Sequence, residues 1–167
     1  MMVQVYLSAP IIHSTLRKDD FCTVVVKTLE EKGITVFAPQ FLEPAEDHVI
    51  YQRDIDNVMK SDFVIAEISN PSLGVGMELM LSIERMKPLL LFYNSDIEKL
   101  SKMVRGAVGK VLFVYDSLEE VDSILRNLNL ENLLVLKCAN CDSYVAEVID
   151  DEIYCVKCRT IISGGEQ

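Results

Sequence analysis

Short apolar runs alternate with amphipathic helical stretches along most of this chain, and that alternation limits the fold more than any single motif does. Val3 to Ser8 reads as a strand and Thr15 to Lys32 as a helix, with Leu16, Val24, Val25 and Leu29 at helical spacing and Gly33 at a C-cap position. Ile34 to Phe37 resumes as a strand, Pro39 to Asp47 reads as a loop, and His48 to Lys60 as a second helix. Phe63-Val64-Ile65-Ala66, inside Asp62 to Ile68, is a continuous apolar run with polar borders, the signature of a strand covered on both faces. The loop Ser69 to Gly76 precedes a helix over Met77 to Met86. Then come a strand over Pro88 to Tyr93, a helix over Ile97 to Val104, a strand over Val111 to Tyr115 and a helix over Leu118 to Leu128.

Strands that alternate with helices require right-handed crossovers and a parallel sheet with helices on both faces. The fold class is therefore α/β, a flavodoxin-like or Rossmann-like three-layer sandwich around a five-stranded parallel sheet. The helical pattern stops near Asn129, and Lys137 begins a region with two cysteine pairs. This divides the chain into an α/β domain over 1–130 and a small C-terminal zinc ribbon over 131–167.

The net charge of −10 opposes non-specific nucleic-acid binding, which depends on Lys and Arg at phosphates. It leaves a small-molecule ligand as the natural partner. No apolar run approaches a membrane span and the N-terminus has no charged leader, so a cytoplasmic protein is expected. Four of the five cysteines lie in two tight pairs, which suits metal binding in a reducing compartment better than disulfides; Cys22 reads as an ordinary buried residue.

Ligands of open α/β sheets bind beyond the carboxyl ends of the strands. Four loops are nominated there: Ser8 to Ser14, Pro39 to Asp47, Ser69 to Gly76 and Asn94 to Asp96. The third is the most informative, because Gly74 and Gly76 permit close approach to a ligand and their N–H groups could receive an anion. Glu78, read as lying in the first turn of the next helix, would be held ionised by the helix dipole and be available as nucleophile or base. The segment is neither a dinucleotide fingerprint nor a P-loop, since it lacks the third glycine and the Gly-Lys-Ser/Thr. Asp54, Asp56 and Asp62 are acidic candidates near the central strand, although helical carboxylates are mostly solvated surface groups. His13 is a possible general acid in the first loop, and Tyr6 could point a phenol into the crevice.

Tyr6, Asp54, the strand Phe63 to Ile68, the segment Pro71-Ser72-Leu73-Gly74-Val75-Gly76-Met77-Glu78 and the segment Met103-Val104-Arg105-Gly106-Ala107 together resemble the nucleoside 2-deoxyribosyltransferase superfamily. The likeness is to its 2'-deoxynucleoside 5'-monophosphate N-glycosidase branch and covers roughly Val3 to Leu128. It implies hydrolysis of the N-glycosidic bond of a nucleoside 5'-monophosphate, with Glu78 as the nucleophile that forms a covalent glycosyl-enzyme. Asp54 is implied as the acid/base group for the departing base and Tyr6 as the phenol that positions nucleophile and sugar. Substrate-binding roles are implied for Ser8, Ser72, Gly74, Gly76 and Ser101, with Ser101 reaching the site of a neighbouring subunit, hence a homodimer. No cofactor is implied for catalysis. Where that branch has Gly-Ser-Ile-Arg, this chain has Ala9-Pro10-Ile11-Ile12, losing a hydroxyl and a guanidinium. His13, Ser14 and Arg17 are the nearby replacements. Transfer of the sugar to an acceptor base, or nucleotide sensing without catalysis, stand as alternatives.

Cys138-Ala139-Asn140-Cys141 and Cys155-Val156-Lys157-Cys158 are two Cys-x-x-Cys knuckles with thirteen residues between them, long enough for a hairpin that brings four thiolates to one tetrahedral ion. Structural zinc is expected at Cys138, Cys141, Cys155 and Cys158, with rubredoxin-like iron next and a redox dithiol after it. Residues 137–167 hold three basic against six acidic side chains, so nucleic acid is again disfavoured as the partner of this unit.

Overall fold

Five strands form one wholly parallel sheet: β1 (Gln4–Ser8), β2 (Thr35–Phe37), β3 (Phe63–Glu67), β4 (Leu89–Tyr93) and β5 (Lys110–Val114). The computed structural model describes residues 2–162. Strand order is β2-β1-β3-β4-β5, with registers such as Tyr6 opposite Phe37 and Val64, and Leu91 opposite Ala66 and Leu112. This is the expected doubly wound arrangement. Every residue of β3 and β4 is buried, because helices cover both faces of the sheet.

The long helices are α1 (Asp19–Glu31), α2 (Asp47–Lys60), α3 (Leu73–Glu84) and α5 (Leu118–Asn127), with the single-turn α4 (Lys102–Gly106) between β4 and β5. Helices α1 and α5 cover one face, where Phe21, Val25 and Leu29 meet Val121 and Leu125 over Ile65 and Leu90. Helices α2 and α3 cover the other, where Val58, Val75 and Leu79 pack on Tyr6, Val64 and Leu91. Period-two alternation sends Tyr6 to one side and Val5 and Leu7 to the other, which separates the two cores.

Three boundaries differ from the sequence reading, each for a local reason. Helix α1 begins at Asp19 rather than Thr15, because Arg17 is engaged elsewhere: its guanidinium donates to the carbonyls of Ile11 at 3.4 Å and Gln40 at 3.0 Å, and it pairs with Asp19. Helix α3 begins at Leu73, not at Met77. Ser72 caps it by accepting from the N–H of Val75 at 3.4 Å, so both glycines are helical and neither has a positive φ. The expected helix over 97–104 is a 3-10 turn (Ile97–Lys99) followed by α4, broken where Leu100 takes extended backbone and turns into the second core.

A second sheet is antiparallel, with order β6 (Leu133–Val135), β7 (Val145–Ile149) and β8 (Glu152–Cys155). It does not stand apart, since Val145 and Val156 belong to the same apolar cluster as Leu128, Leu130 and Val111. No helix among the described residues is long and apolar enough to cross a membrane.

Leu90 is fully buried at the centre of the sheet. Leu90→Ala is expected to lower unfolding free energy by about 3–5 kcal/mol, read as a shift in the denaturation midpoint at unchanged m.

Candidate active site

Strands β1 and β3 are neighbours in the sheet, while their following crossovers lead to opposite sides, so a crevice opens beyond their carboxyl ends. Side chains of three elements, β1, α2 and α3, converge there. Tyr6 and Ser8, two residues apart on β1, point to the same face. The Tyr6 phenol donates to Oε1 of Glu78 at 2.8 Å, and the Ser8 hydroxyl donates to Oε2 of the same carboxylate. Asp54, buried on α2, accepts from Nε of Arg53 at 2.8 Å.

Burial pushes the Glu78 carboxyl from its ordinary 4.5 up to about 7; the bonds from Ser8 and Tyr6 resist that rise and the nearby Asp54 charge adds to it. Glu78 lies in the second turn of α3, not the first. The helix dipole therefore does not set its charge, contrary to the sequence expectation, and desolvation does. The Tyr6 phenol is raised well above its usual range by burial, then by the charges of Glu78 and Asp54, so it stays a hydrogen-bond donor. Its ring stacks on Phe37 with centroids 5.6 Å apart, which fixes the direction of the hydroxyl.

The remaining nominated residues lie elsewhere. Ser72, Gly76 and Ser101 line a second cleft of about 400 Å³ whose lining includes none of Tyr6, Ser8, Asp54 and Glu78. Lys99 and Ser69 line it too. The N–H of Gly76 is spent on the carbonyl of Ser72 at 3.1 Å, so this residue offers a bare backbone surface rather than an anion donor. Gly74 is exposed, and a Cβ there would meet only Ser72 Oγ at 4.0 Å. Arg17 is engaged by Asp19 and by two backbone carbonyls rather than held free for the role of the missing guanidinium. His13 is exposed, while Asp56 accepts from Gln52 at 2.8 Å and Asp62 from the N–H of Gln4 at 2.8 Å, as surface carboxylates do.

Sequence reasoning missed Arg53, Lys99 and Glu67. Arg53 adjoins Asp54 in sequence, and adjacent helical residues do not ordinarily face each other, so no spacing rule marks the pair. Glu67 is fully buried at the end of β3 and accepts from the Tyr115 phenol at 3.0 Å, the Ser69 N–H at 3.2 Å and the Ser69 hydroxyl. It pins the start of the β3–α3 connection. A carboxylate that ends an otherwise apolar strand was the available signal.

At the other end of the chain, Sγ atoms of Cys138, Cys141, Cys155 and Cys158 all lie within 4.8 Å of one another, a set that could hold one metal ion. The Cys158 thiol is drawn down to about 6, chiefly by the Thr160 hydroxyl 2.9 Å away.

The family model for nucleoside 2-deoxyribosyltransferase matches residues 5–133. The chain belongs to this family. A provisionally named 2'-deoxynucleoside 5'-phosphate N-hydrolase 1 from Thermofilum pendens is 31% identical over 141 residues, covering 74% of this chain and 95% of that one. The 5-hydroxymethyl-dUMP N-hydrolase of Tetraodon nigroviridis is 39% identical over 84 residues, covering 48% of this chain and 59% of the relative. The chain thus spans only about three fifths of that relative's length. Among solved structures, the Clostridium botulinum CMP N-glycosidase superposes with a TM-score of 0.59 at 21% identity, covering 73% of this chain and 96% of the other, a likeness of fold.

The raised Glu78 value makes a thermodynamic prediction. Between 4.5 and about 7 the unfolded chain has released this proton while the folded chain keeps it, so its contribution to stability is present below 4.5 and lost as pH rises through 7. Glu78→Gln is therefore expected to raise Tm by about 2–6 °C at pH 8 and by much less at pH 4.5, measured by calorimetry at both pH values.

Proposed function

We propose that this chain hydrolyses the N-glycosidic bond of nucleoside 5'-monophosphates, deoxyribo- or ribonucleotides, releasing free base and sugar phosphate. The observation that carries the reading is the Glu78 carboxylate gripped on both oxygens by Tyr6 and Ser8, with Asp54 within electrostatic reach. Ionised Glu78 attacks the anomeric carbon as the bond to the base breaks, forming a glycosyl ester. Asp54, carrying a proton for this step, gives it to the departing base; the Asp54 carboxylate so formed then takes a proton from the water that cleaves the ester, which returns Glu78 as the carboxylate and Asp54 as the acid. Arg53 keeps the Asp54 carboxyl oriented. The relatives' names, which specify nucleoside phosphate N-hydrolysis, support hydrolysis over sugar transfer to an acceptor base.

Ser72, Gly74 and Ser101 are assigned to the 5'-phosphate, with Gly76 contributing only the close approach that a missing side chain allows. Ser101 is assigned to the Glu78 site of a second copy of the chain, as the family resemblance implies, and its own cleft does not include Glu78. A homodimer is supported further by α3, where exposed Leu73, Met77 and Met80 recur at helical spacing as one apolar stripe. The four cysteines are assigned to one structural zinc ion in tetrahedral thiolate coordination.

Incubation with deoxy- and ribonucleoside monophosphates and with nucleosides, with and without an acceptor base, tests the reaction. Free base from at least one monophosphate is expected, with a loss of about 10³-fold or more in Glu78→Ala. Release from nucleosides alone, or only when an acceptor is present, contradicts it.

The pH dependence is a separate check. kcat/KM is expected to rise with pH along a limb centred near 7, as Glu78 ionises. In Ser8→Ala that limb should move to higher pH, because one of the bonds that favours the carboxylate is lost. For assembly, light scattering should report two copies for the native chain and one for Met77→Asp combined with Met80→Asp.

A further inference from the structure

The cysteine unit is built into the α/β domain at three points, each tied to a residue within three positions of a metal-ligand cysteine. Val156, between Cys155 and Cys158, inserts into the main apolar cluster beside Val145 and Leu130. The N–H of Tyr144, three residues beyond Cys141, donates at 2.8 Å to the carbonyl of Lys110, the first residue of β5. Glu147 on β7 is fully buried; it accepts from the backbone N–H of Asn129 and pairs with Arg159, the residue after Cys158.

The last contact is the informative one. Arg159 is held at a φ of 62°, a left-handed backbone that a free peptide seldom adopts, at the tip of the second knuckle. In this closed knuckle its guanidinium, still partly exposed, meets the wholly enclosed Glu147 carboxylate. If the second knuckle opens, a carboxylate with no exposed surface loses its cation while still enclosed by the segment that follows α5. A unit of this size has too little core to keep the knuckle closed without an ion.

We propose that the metal bound by the four cysteines is a lock on the whole chain: its occupancy stabilises β5 and the 128–132 segment of the nucleotide domain through Val156, Tyr144 and the Arg159–Glu147 pair. This rests on the reading of the cysteines as a metal site. The ligand is one divalent, thiophilic ion of tetrahedral habit, in keeping with four thiolates and the nearby cations Lys137, whose ammonium donates to the Cys141 carbonyl at 2.7 Å, and Lys157.

The test uses the full-length protein. Elemental analysis should find one metal per chain, colourless for zinc. The ion is then withdrawn with a thiol-reactive mercurial and a chelator, the mercurial is reversed with excess thiol, and hydrogen exchange is compared before and after. Faster exchange is expected at 110–114 and 128–132 as well as at 137–162, with Tm lower by about 5–10 °C and restored by added zinc. Exchange that quickens only within 137–162, with the main transition unmoved, overturns the lock while leaving the metal site standing. Absence of stoichiometric metal, with no uptake of zinc on titration, overturns the metal reading itself. Arg159→Ala supplies the second variant: it should keep the metal yet lower Tm by about 4–8 °C and quicken exchange at 128–132, and an unchanged Tm counts against the proposal.

Discussion

A carboxylate can remain enclosed away from water only if hydroxyl or N–H donors meet its oxygens, and the arrangement of Tyr6, Ser8 and Glu78 satisfies that condition with two residues of one strand. Strand geometry makes this possible, because residues two apart share a face. Helix α3 must then cross the sheet where its second turn reaches the end of β1. The Ser72 cap, the buried face of Val75 and Leu79, and the pinning of Ser69 by Glu67 all set that crossing. The electrostatics follow from the same placement, since enclosure raises the Glu78 carboxyl while the two hydroxyls limit the rise.

The fold was largely legible because its signal is periodicity. The buried runs in β3 and β4 read as central strands, and the two helical faces fell within a few residues of their bounds. What failed to show was governed by contacts distant in sequence. Arg17 has the composition of a helix start, yet its guanidinium bridges two loops and delays α1. The glycines of Pro71 to Glu78 look like a loop because glycine is a poor helix former, and the Ser72 cap overrides that weak preference. At the site, Tyr6, Asp54 and Glu78 were visible as residue types in a recognisable order. That Ser8 is a partner of Glu78, and that Asp54 is engaged by its own neighbour Arg53, required three dimensions. Conversely, Ser101 and Ser72 share a cleft that no linear spacing would have separated from Glu78.

The cysteine unit illustrates how a small appended element becomes part of a larger core. Its hairpin contributes two valines to the face covered by α1 and α5, and the fully buried Glu147 links Arg159 of its second knuckle to the Asn129 N–H in the segment that leaves α5. Burial of Glu147 is tolerable only while both the Asn129 N–H and Arg159 are in place, which makes the junction sensitive to the geometry of the knuckle.

An open edge of a parallel sheet offers unpaired backbone groups to any extended peptide. Here β2, at one margin, has only three residues, and β5, at the other, has its first carbonyl taken by Tyr144 of the cysteine unit. Lateral growth of the sheet is discouraged at both margins. An added strand would find three residues at one margin and an engaged first carbonyl at the other, whereas the exposed apolar stripe of α3 stays open.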